Sequence, residues 1–118
     1  MAAFAACWLT ILAASSLVLP VDNIEQLVWM REFIDSELIP LEPIFRELAP
    51  TEWAPVKAYL QGKVKDRGLW GAFLDPKLGG PGFGQLKLAL MSEIIGRCMM
   101  SMTIFGVQAP DSGNMELL

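Results

Sequence analysis

The feature that most constrains this fold is an apolar stripe in the last third of the chain. Six apolar side chains recur there at intervals of three and four residues, the spacing of one helical face: Met91, Ile94, Ile95, Cys98, Met102 and Phe105. The pattern predicts one continuous buried helix across all six positions.

A first helix is predicted upstream of this stripe. Asp22 and Glu25 have the spacing of an N-terminal capping box. Apolar residues then follow at close to helical spacing: Ile24, Leu27, Val28, Ile34 and Leu38. Proline cannot continue a helix, so Pro40 should end it, and residues 40–52 should form a loop or a short helical turn.

A second helix should begin between Thr51 and Pro55. Val56, Leu60 and Val64 recur every four residues and so share one face of it. Gly68 stands at the left-handed position that commonly ends a helix. Residues 69–74 are an apolar run that fits either an extended segment or a buried turn, and residues 75–84 form a glycine- and proline-rich loop.

The two ends of the chain differ from this helical pattern. Residues 114–118 resemble the first turn of a further helix, so we expect an incomplete all-α domain over residues 22–118. Residues 1–20 form an apolar leader in which residues 2–19 carry no charge. Its length is near the minimum for a membrane span, but the positive start of a signal peptide and the arginines of a mitochondrial presequence are missing. Both a secretory or membrane signal and an atypical start of the coding region stay open.

Composition excludes several kinds of chemistry. The chain contains no histidine, which rules out Ser-His and Cys-His catalysis and most zinc sites. Cys7 and Cys98 are too far apart in sequence to suggest a disulfide framework or a metal site. The net charge of −4, without a basic cluster, argues against nucleic acid as a partner.

Three local patterns have structural interpretations that outweigh functional ones. Gly80 and Gly82 are followed by Gln85 where a dinucleotide-binding loop needs its third glycine, so we predict a structural turn. Glu93 and Arg97 have the spacing of an ordinary ion pair along one helix. The methionines at 91, 99, 100, 102 and 115 fit core filling, although flexible thioethers also suit a pocket for an alkyl tail.

Several segments, in order and at natural spacing, resemble the acyl-CoA dehydrogenase family. Residues 68–82 (GLWGAFLDPKLGGPG) are similar to its glycine-rich segment, and residues 92–97 (SEIIGR) are similar to the helix that follows. Residues 33–40 (FIDSELIP) resemble its first helix and terminating proline. Residues 108–116 (QAPDSGNME) resemble a subgroup that acts on longer or hydroxylated acyl chains.

The resemblance implies a truncated helical N-terminal domain of a flavoenzyme that oxidises acyl-CoA and forms homo-oligomers. The glutamate base and the FAD contacts would lie beyond this chain, so no catalytic, cofactor-binding or metal residue is assigned here, and the chain alone should bind no FAD. Counting from Glu93 places Met102, Thr103 and Gly106 near one wall of the acyl pocket. The family implies a mitochondrial or peroxisomal location.

The alternative function is a non-catalytic helical interaction module. In that reading, residues 2–19 would lead to secretion or would attach the protein to a membrane, and the helices would act only through protein contacts.

Overall fold

The computed structural model describes residues 21–108 together with Asn114 and Leu117, and these residues form helices and turns without a strand. The apolar leader and the Asp22 side chain, the predicted N-cap, lie outside the described residues. Of the predicted last helix, only Asn114 and Leu117 are described, and both are helical. The predicted all-α class is confirmed. Within the described residues, no helix is both long enough and apolar enough to cross a membrane.

The first helix, α1 (Val21–Phe33), changes its winding before it ends. It continues into a π-helical turn at Ile34–Leu38, in which the Ile39 N–H donates to the Ile34 carbonyl, and then into a 3-10 turn at Ile39–Leu41. A short helix, α2 (Glu42–Phe45), follows. The predicted end at Pro40 therefore falls within a series of short helical turns.

One face of α1 and its π turn enters the core through Leu27, Met30, Phe33, Ile34 and Leu38. Val28 is 36% exposed. Met30 and Phe33 occupy the buried face instead, since the regular helical period places Val28 to one side of it.

The longest helix, α3 (Pro50–Asp66), is capped at both ends by local interactions. The Ala49 N–H donates to the Glu52 carboxylate at 3.0 Å, which satisfies one amide that the helix leaves unpaired. At the other end, the Leu69 N–H donates to the Val64 carbonyl at 3.1 Å and Gly68 has a φ of +68°. The predicted glycine end is confirmed, with the bond pattern of a Schellman motif.

Residues 69–74 form a buried turn in which Leu69 and Ala72 join the core, which resolves the ambiguity of that apolar run. The loop that follows contains a 3-10 turn at Pro76–Leu78, and the Asp75 carboxylate accepts from the Lys77 N–H at 2.8 Å. A Cβ at Gly80 would overlap the Leu74 carbonyl. Gly80 is therefore required for the loop to close on itself.

The predicted continuous third helix is two pieces. α4 (Gln85–Ile95) ends before Gly96, residues 96–100 form non-helical turns, and α5 (Ser101–Ile104) follows. Met91, Ile94, Ile95, Cys98 and Phe105 are buried as predicted, but Met102 is 45% exposed. The interruption rotates α5 relative to α4, so Ser101 and Ile104 point inward where a continuous helix would have placed Met102.

All these elements surround one apolar core. α1 packs against α4, and α3 packs against α5. The Phe33 and Phe105 rings meet edge to face at 6.1 Å between centroids, which joins the two pairs. This arrangement places α5 and the turn after it at the edge of the core, where one side faces outward.

Candidate functional site

The three residues predicted to border an acyl tail lie together on α5 and the turn that follows. Met102 is 45% exposed, Thr103 is half-buried, and Gly106 ends the turn. We call Met102, Thr103 and Gly106, with Gln61 and Trp70 behind them, the wall surface. The structure therefore brings the predicted residues into one place, and whether they contact substrate stays a prediction.

Gly106 is fixed in this surface by its backbone and by a close neighbour. Its φ is +68°, and the Val107 N–H donates to the Met102 carbonyl at 2.9 Å, so the turn has the same Schellman form as the end of α3. A Cβ on Gly106 would lie 2.8 Å from Cε2 of Trp70. The Trp70 ring therefore sets the depth at which this turn lies.

Thr103 is held by uncharged hydrogen bonds. Its hydroxyl donates to Oε1 of Gln108 at 2.8 Å, and its carbonyl accepts from Nε2 of Gln61 at 3.0 Å. Gln61 belongs to α3, so this bond ties the wall surface to the longest helix. No ionisable group takes part in these bonds. Such a surface can border an alkyl chain and orient a polar group, but it offers no proton acceptor for catalysis.

The non-helical turns before α5 are held by charged side chains from the π turn after α1 and from α2. Arg97 pairs with Asp35 through two contacts of 2.9 and 3.1 Å, and Arg31 approaches the same carboxylate at 3.8 Å. The Met99 N–H donates to the Glu42 carboxylate at 3.1 Å. The predicted pairing of Arg97 with Glu93 was wrong, because α4 ends at Ile95 and Arg97 leaves the helical face that Glu93 occupies.

A buried lysine that the sequence did not reveal lies at the start of α4. Lys87 donates to Oδ1 of Asn23 at 2.7 Å and to Oε1 of Gln26, and its ammonium lies 3.4 Å from the centre of the Phe83 ring. Burial lowers the pKa of this ammonium from 10.5 to about 8. A lone lysine among apolar residues normally marks the exposed side of a helix, so no sequence signal distinguished it.

A second concave feature lies between the glycine-rich loop and α4. We call it the loop groove; its volume is about 510 Å³, and polar atoms share its lining with five apolar side chains: Phe73, Leu74, Leu78, Phe83 and Leu88. Asp75 is the single ionisable residue of its lining, and its carboxylate accepts the Lys77 amide. The groove therefore offers polar as well as apolar contacts.

The described residues do not form a flavin or metal site. No group of three metal-ligating side chains comes together among them. The glycine-rich loop closes on its own Leu74 carbonyl at Gly80, and Pro81 has no N–H to offer a phosphate. The residues described here do not fit FAD, and no reaction step is derived through it.

A comparison of the sequence with known protein families identifies its relatives. Residues 25–116 match the family described as "Acyl-CoA dehydrogenase, N-terminal domain". The chain belongs to the acyl-CoA dehydrogenase family. Residues 108–116 also led us to expect a subgroup that acts on longer or hydroxylated acyl chains. Membership of the family does not by itself assign the chain to that subgroup.

Individual relatives agree with this family assignment. "Acyl-CoA dehydrogenase family member 10" of Mus musculus is 37% identical over 103 residues, which is 80% of this chain and 9% of that protein. "Acyl-CoA dehydrogenase family member 11" of Pongo abelii is 32% identical over 80% of this chain and 13% of its own length. The chain therefore spans about a tenth of the length of these acyl-CoA dehydrogenases.

The fold agrees as well. A solved structure from Mycobacterium abscessus, assigned to the acyl-CoA dehydrogenases, superposes with a TM-score of 0.68 at 35% sequence identity. The match covers 84% of this chain and 28% of that one. The helices described above are thus the N-terminal helical domain of this family.

Proposed function

We propose that this chain supplies the N-terminal helical part of a flavin-dependent acyl-CoA dehydrogenase, and that its wall surface borders the acyl tail. One observation carries the proposal: Met102 is exposed beside a glycine turn whose depth Trp70 fixes. An exposed thioether next to a rigid turn can fit alkyl chains of differing shape. Family membership supplies the class of reaction.

The role proposed for this chain, as distinct from that of the catalytic parts of the enzyme, follows from the chemistry of the wall surface. Oxidation of an acyl-CoA thioester needs a base for the α-proton and a flavin to accept hydride, and these belong to other parts of the family's enzymes. The side chains of Met102, Thr103, Gln61 and Trp70 are neutral, so their part is to bind the tail and exclude water from it. We propose that this chain alone binds no FAD and does not oxidise acyl-CoA.

The finer substrate class is part of the same proposal. The hydroxyl of Thr103 and the amide of Gln108 lie next to the apolar Met102 side chain and bond to each other. An acyl chain that carries a hydroxyl could exchange bonds with this pair, while a longer plain chain would contact the thioether. This arrangement supports a preference for longer or hydroxylated acyl chains. A homo-oligomer in a mitochondrion or peroxisome would be the corresponding assembly and location.

A chimera tests the wall surface directly. Residues 23–108 of this chain would replace the matching part of the Mycobacterium abscessus relative, and kcat/KM would be measured for acyl-CoA thioesters of increasing length. Met102→Ala should raise kcat/KM for the longest chains relative to the shortest by about threefold to tenfold, because the removed methylene and thioether atoms leave space worth about 1 kcal/mol.

Met99→Ala is the matched control, since Met99 is 70% exposed and lies three residues away. It should leave the chain-length ratio unchanged. Equal effects of the two substitutions would contradict the role of the wall surface. A separate measurement tests the flavin part of the proposal: a purified sample of the chain alone that absorbs near 450 nm with stoichiometric flavin would contradict it.

A further inference from the structure

Trp70 is fixed beside Gly106 both through the backbone and through its ring. The Gly71 N–H donates to the Phe105 carbonyl at 3.2 Å, which joins the buried turn to the end of α5. The Lys65 ammonium lies 4.5 Å from the centre of the Trp70 ring, at the distance of a cation–π contact. The ring is therefore restrained by a side chain of α3 as well as by its own backbone.

The Trp70 ring fills the space that a side chain on Gly106 would need. A Cβ on Gly106 would lie 2.8, 2.9 and 3.0 Å from Cε2, Cζ2 and Cδ2, which all belong to the six-membered part of the indole. Met102, in contrast, carries a flexible thioether at 45% exposure that can adapt to an alkyl chain. The wall surface thus combines one adaptable side chain with one rigid ring.

One face of α3 holds both parts of the wall surface. Gln61 and Lys65 are four residues apart, so they lie side by side on this helix. Gln61 donates to the Thr103 carbonyl at 3.0 Å, and Lys65 contacts the ring of Trp70. Because another face of α3 is buried in the core, the helix is a fixed reference for the wall surface.

We propose that Trp70 limits the length of the acyl chain that the wall surface accepts, and that Lys65 is a positioning residue that keeps its ring in place. The inference rests on the proposed function, because it requires that the wall surface borders the acyl tail. A restrained ring stops an alkyl chain that grows toward it, since the ring cannot move aside without losing its contact with Lys65. Chain-length preference then depends on α3 and the glycine-rich segment as well as on α5.

Exchanging bulk between Trp70 and Gly106 tests this proposal in the chimera. Trp70→Phe removes ring atoms beside Gly106, so it should raise the ratio of kcat/KM for the longest chains to that for the shortest by about threefold to tenfold. Gly106→Ala forces the turn away from the ring and should lower this ratio. The double variant should return the ratio to within about twofold of its original value, because the added methyl group occupies space that the smaller ring leaves. A purely structural role for Trp70 would not give opposite shifts that compensate.

Trp29→Phe is the matched control, since Trp29 is also half-buried and also has a cation, the Arg67 guanidinium, 5.0 Å from the centre of its ring. It should leave the chain-length ratio unchanged. Lys65→Met should raise the ratio by about twofold because it frees the ring, and Lys65→Arg should restore the ratio because it keeps the cation. Both Lys65 variants leave the Gly106 backbone unaltered, so they test the proposal even if Gly106→Ala does not fold.

Urea unfolding of the full chain separates a failure of this proposal from a failure of the proposed function. The loss of stability caused by Gly106→Ala should fall to about half or less in the Trp70→Phe background, whatever the substrate of the enzyme. Equal losses in both backgrounds would overturn the proposal. So would a ratio that responds to Met102→Ala but to neither Trp70→Phe nor Lys65→Met. A ratio that does not respond to Met102→Ala either would overturn the proposed function, and this inference with it.

Discussion

At the scale of single residues, Lys87 is the least expected feature of the structure. An ammonium ion is costly to bury, and here two side-chain amides and one aromatic ring replace its water. No carboxylate pairs with it among the described residues. The contacts to Asn23 and Gln26 join the first two turns of α1 to the first turn of α4. Lys87 therefore connects two elements that are more than sixty residues apart in sequence.

This burial predicts how stability depends on pH. The pKa of Lys87 is about 8 in the folded chain, against 10.5 for the ordinary group. Between these values the unfolded chain binds more protons, so the free energy of unfolding should rise from pH 8 to pH 10.5, by about 1 to 3 kcal/mol. Lys87→Met should abolish this rise, as measured by urea unfolding at several pH values.

Lys77→Met is the control for this experiment, because Lys77 is exposed in the loop. That variant should keep the rise between pH 8 and pH 10.5. The same slope in Lys87→Met and in the unsubstituted chain would show that Lys87 is not the group responsible.

Ser101 allows a second prediction at this scale. Its side chain is fully buried, and its hydroxyl has no hydrogen-bond partner within the described part of the chain. Removing an unsatisfied buried hydroxyl relieves its desolvation cost, so Ser101→Ala should raise the free energy of unfolding by about 1 kcal/mol. Ser92→Ala is the comparison, because that hydroxyl is exposed and already bonds the Leu88 carbonyl at 2.8 Å. A loss of stability in Ser101→Ala would contradict the prediction.

At the scale of elements, two irregular segments determine how the wall surface is presented. The π turn at Ile34–Leu38 carries Asp35, and the non-helical turns at residues 96–100 carry Arg97, which pairs with it. π turns of this kind occur often near functional sites. The ion pair is partly exposed and contributes little stability by itself. Its effect here is to fix the position of the interruption that rotates α5.

The glycines that end α3 and α5 should respond differently to substitution by alanine. Gly68 and Gly106 share a φ of +68°, but only Gly106 has a neighbour where a Cβ would lie. Gly68→Ala should cost about 1 to 2 kcal/mol of stability from the left-handed backbone alone. Gly106→Ala should cost about 1 to 3 kcal/mol more, because the Trp70 ring must also move. Chemical denaturation measures both, and equal losses would mean that Trp70 does not restrict the turn.

Much of the helical architecture could be predicted from sequence, because it depends on local patterns. The four-residue spacing of Val56, Leu60 and Val64 predicted the buried face of α3, and Gly68 predicted its end. The interruption after Ile95 was not predictable in this way, because Gly96 is the one local signal and the stripe of apolar residues continues beyond it. Residues distant in sequence, Asp35 and Glu42, bond the interrupted segment. Local periodicity carries no information about such contacts.

In the candidate site, too, the features that depend on local sequence could be predicted and those that depend on distant contacts could not. Counting along the helix located Met102, Thr103 and Gly106 in one place, since they lie within five residues of one another. Gln61 and Trp70 were missed because they reach the site through the packing of α3 and the buried turn. Trp70 belongs to the glycine-rich segment that carried the family resemblance, but nothing in the sequence linked its ring to Gly106.

At the scale of the whole molecule, the described domain exposes more large apolar side chains than its core requires. Met99, Met102, Leu78, Leu86, Ile44 and Tyr59 are between 45% and 70% exposed. Single exposed apolar residues are ordinary, but neighbouring ones indicate contact surfaces. Two such neighbours, Met99 and Met102, stand on either side of the start of α5.

This exposure predicts self-association of the isolated chain. Sedimentation velocity should show a weight-average mass that rises with protein concentration. The double substitution Met99→Gln and Met102→Gln should lower this association several-fold, because it replaces apolar contact area with polar groups. Glu47→Gln and Arg46→Gln, two exposed charged positions after α2, form the control and should change it little. A monomer at all concentrations would contradict the prediction.

The interruption between α4 and α5 has a consequence for how such a domain can diversify. A continuous helix transmits any change of rotation along its whole length, so altering one end would disturb the core at the other. Five non-helical residues remove that coupling. Substitutions within them can tilt α5 while Met91 and Ile94 keep their packing, so relatives could acquire new ligand preferences through this short segment and leave the rest of the scaffold untouched.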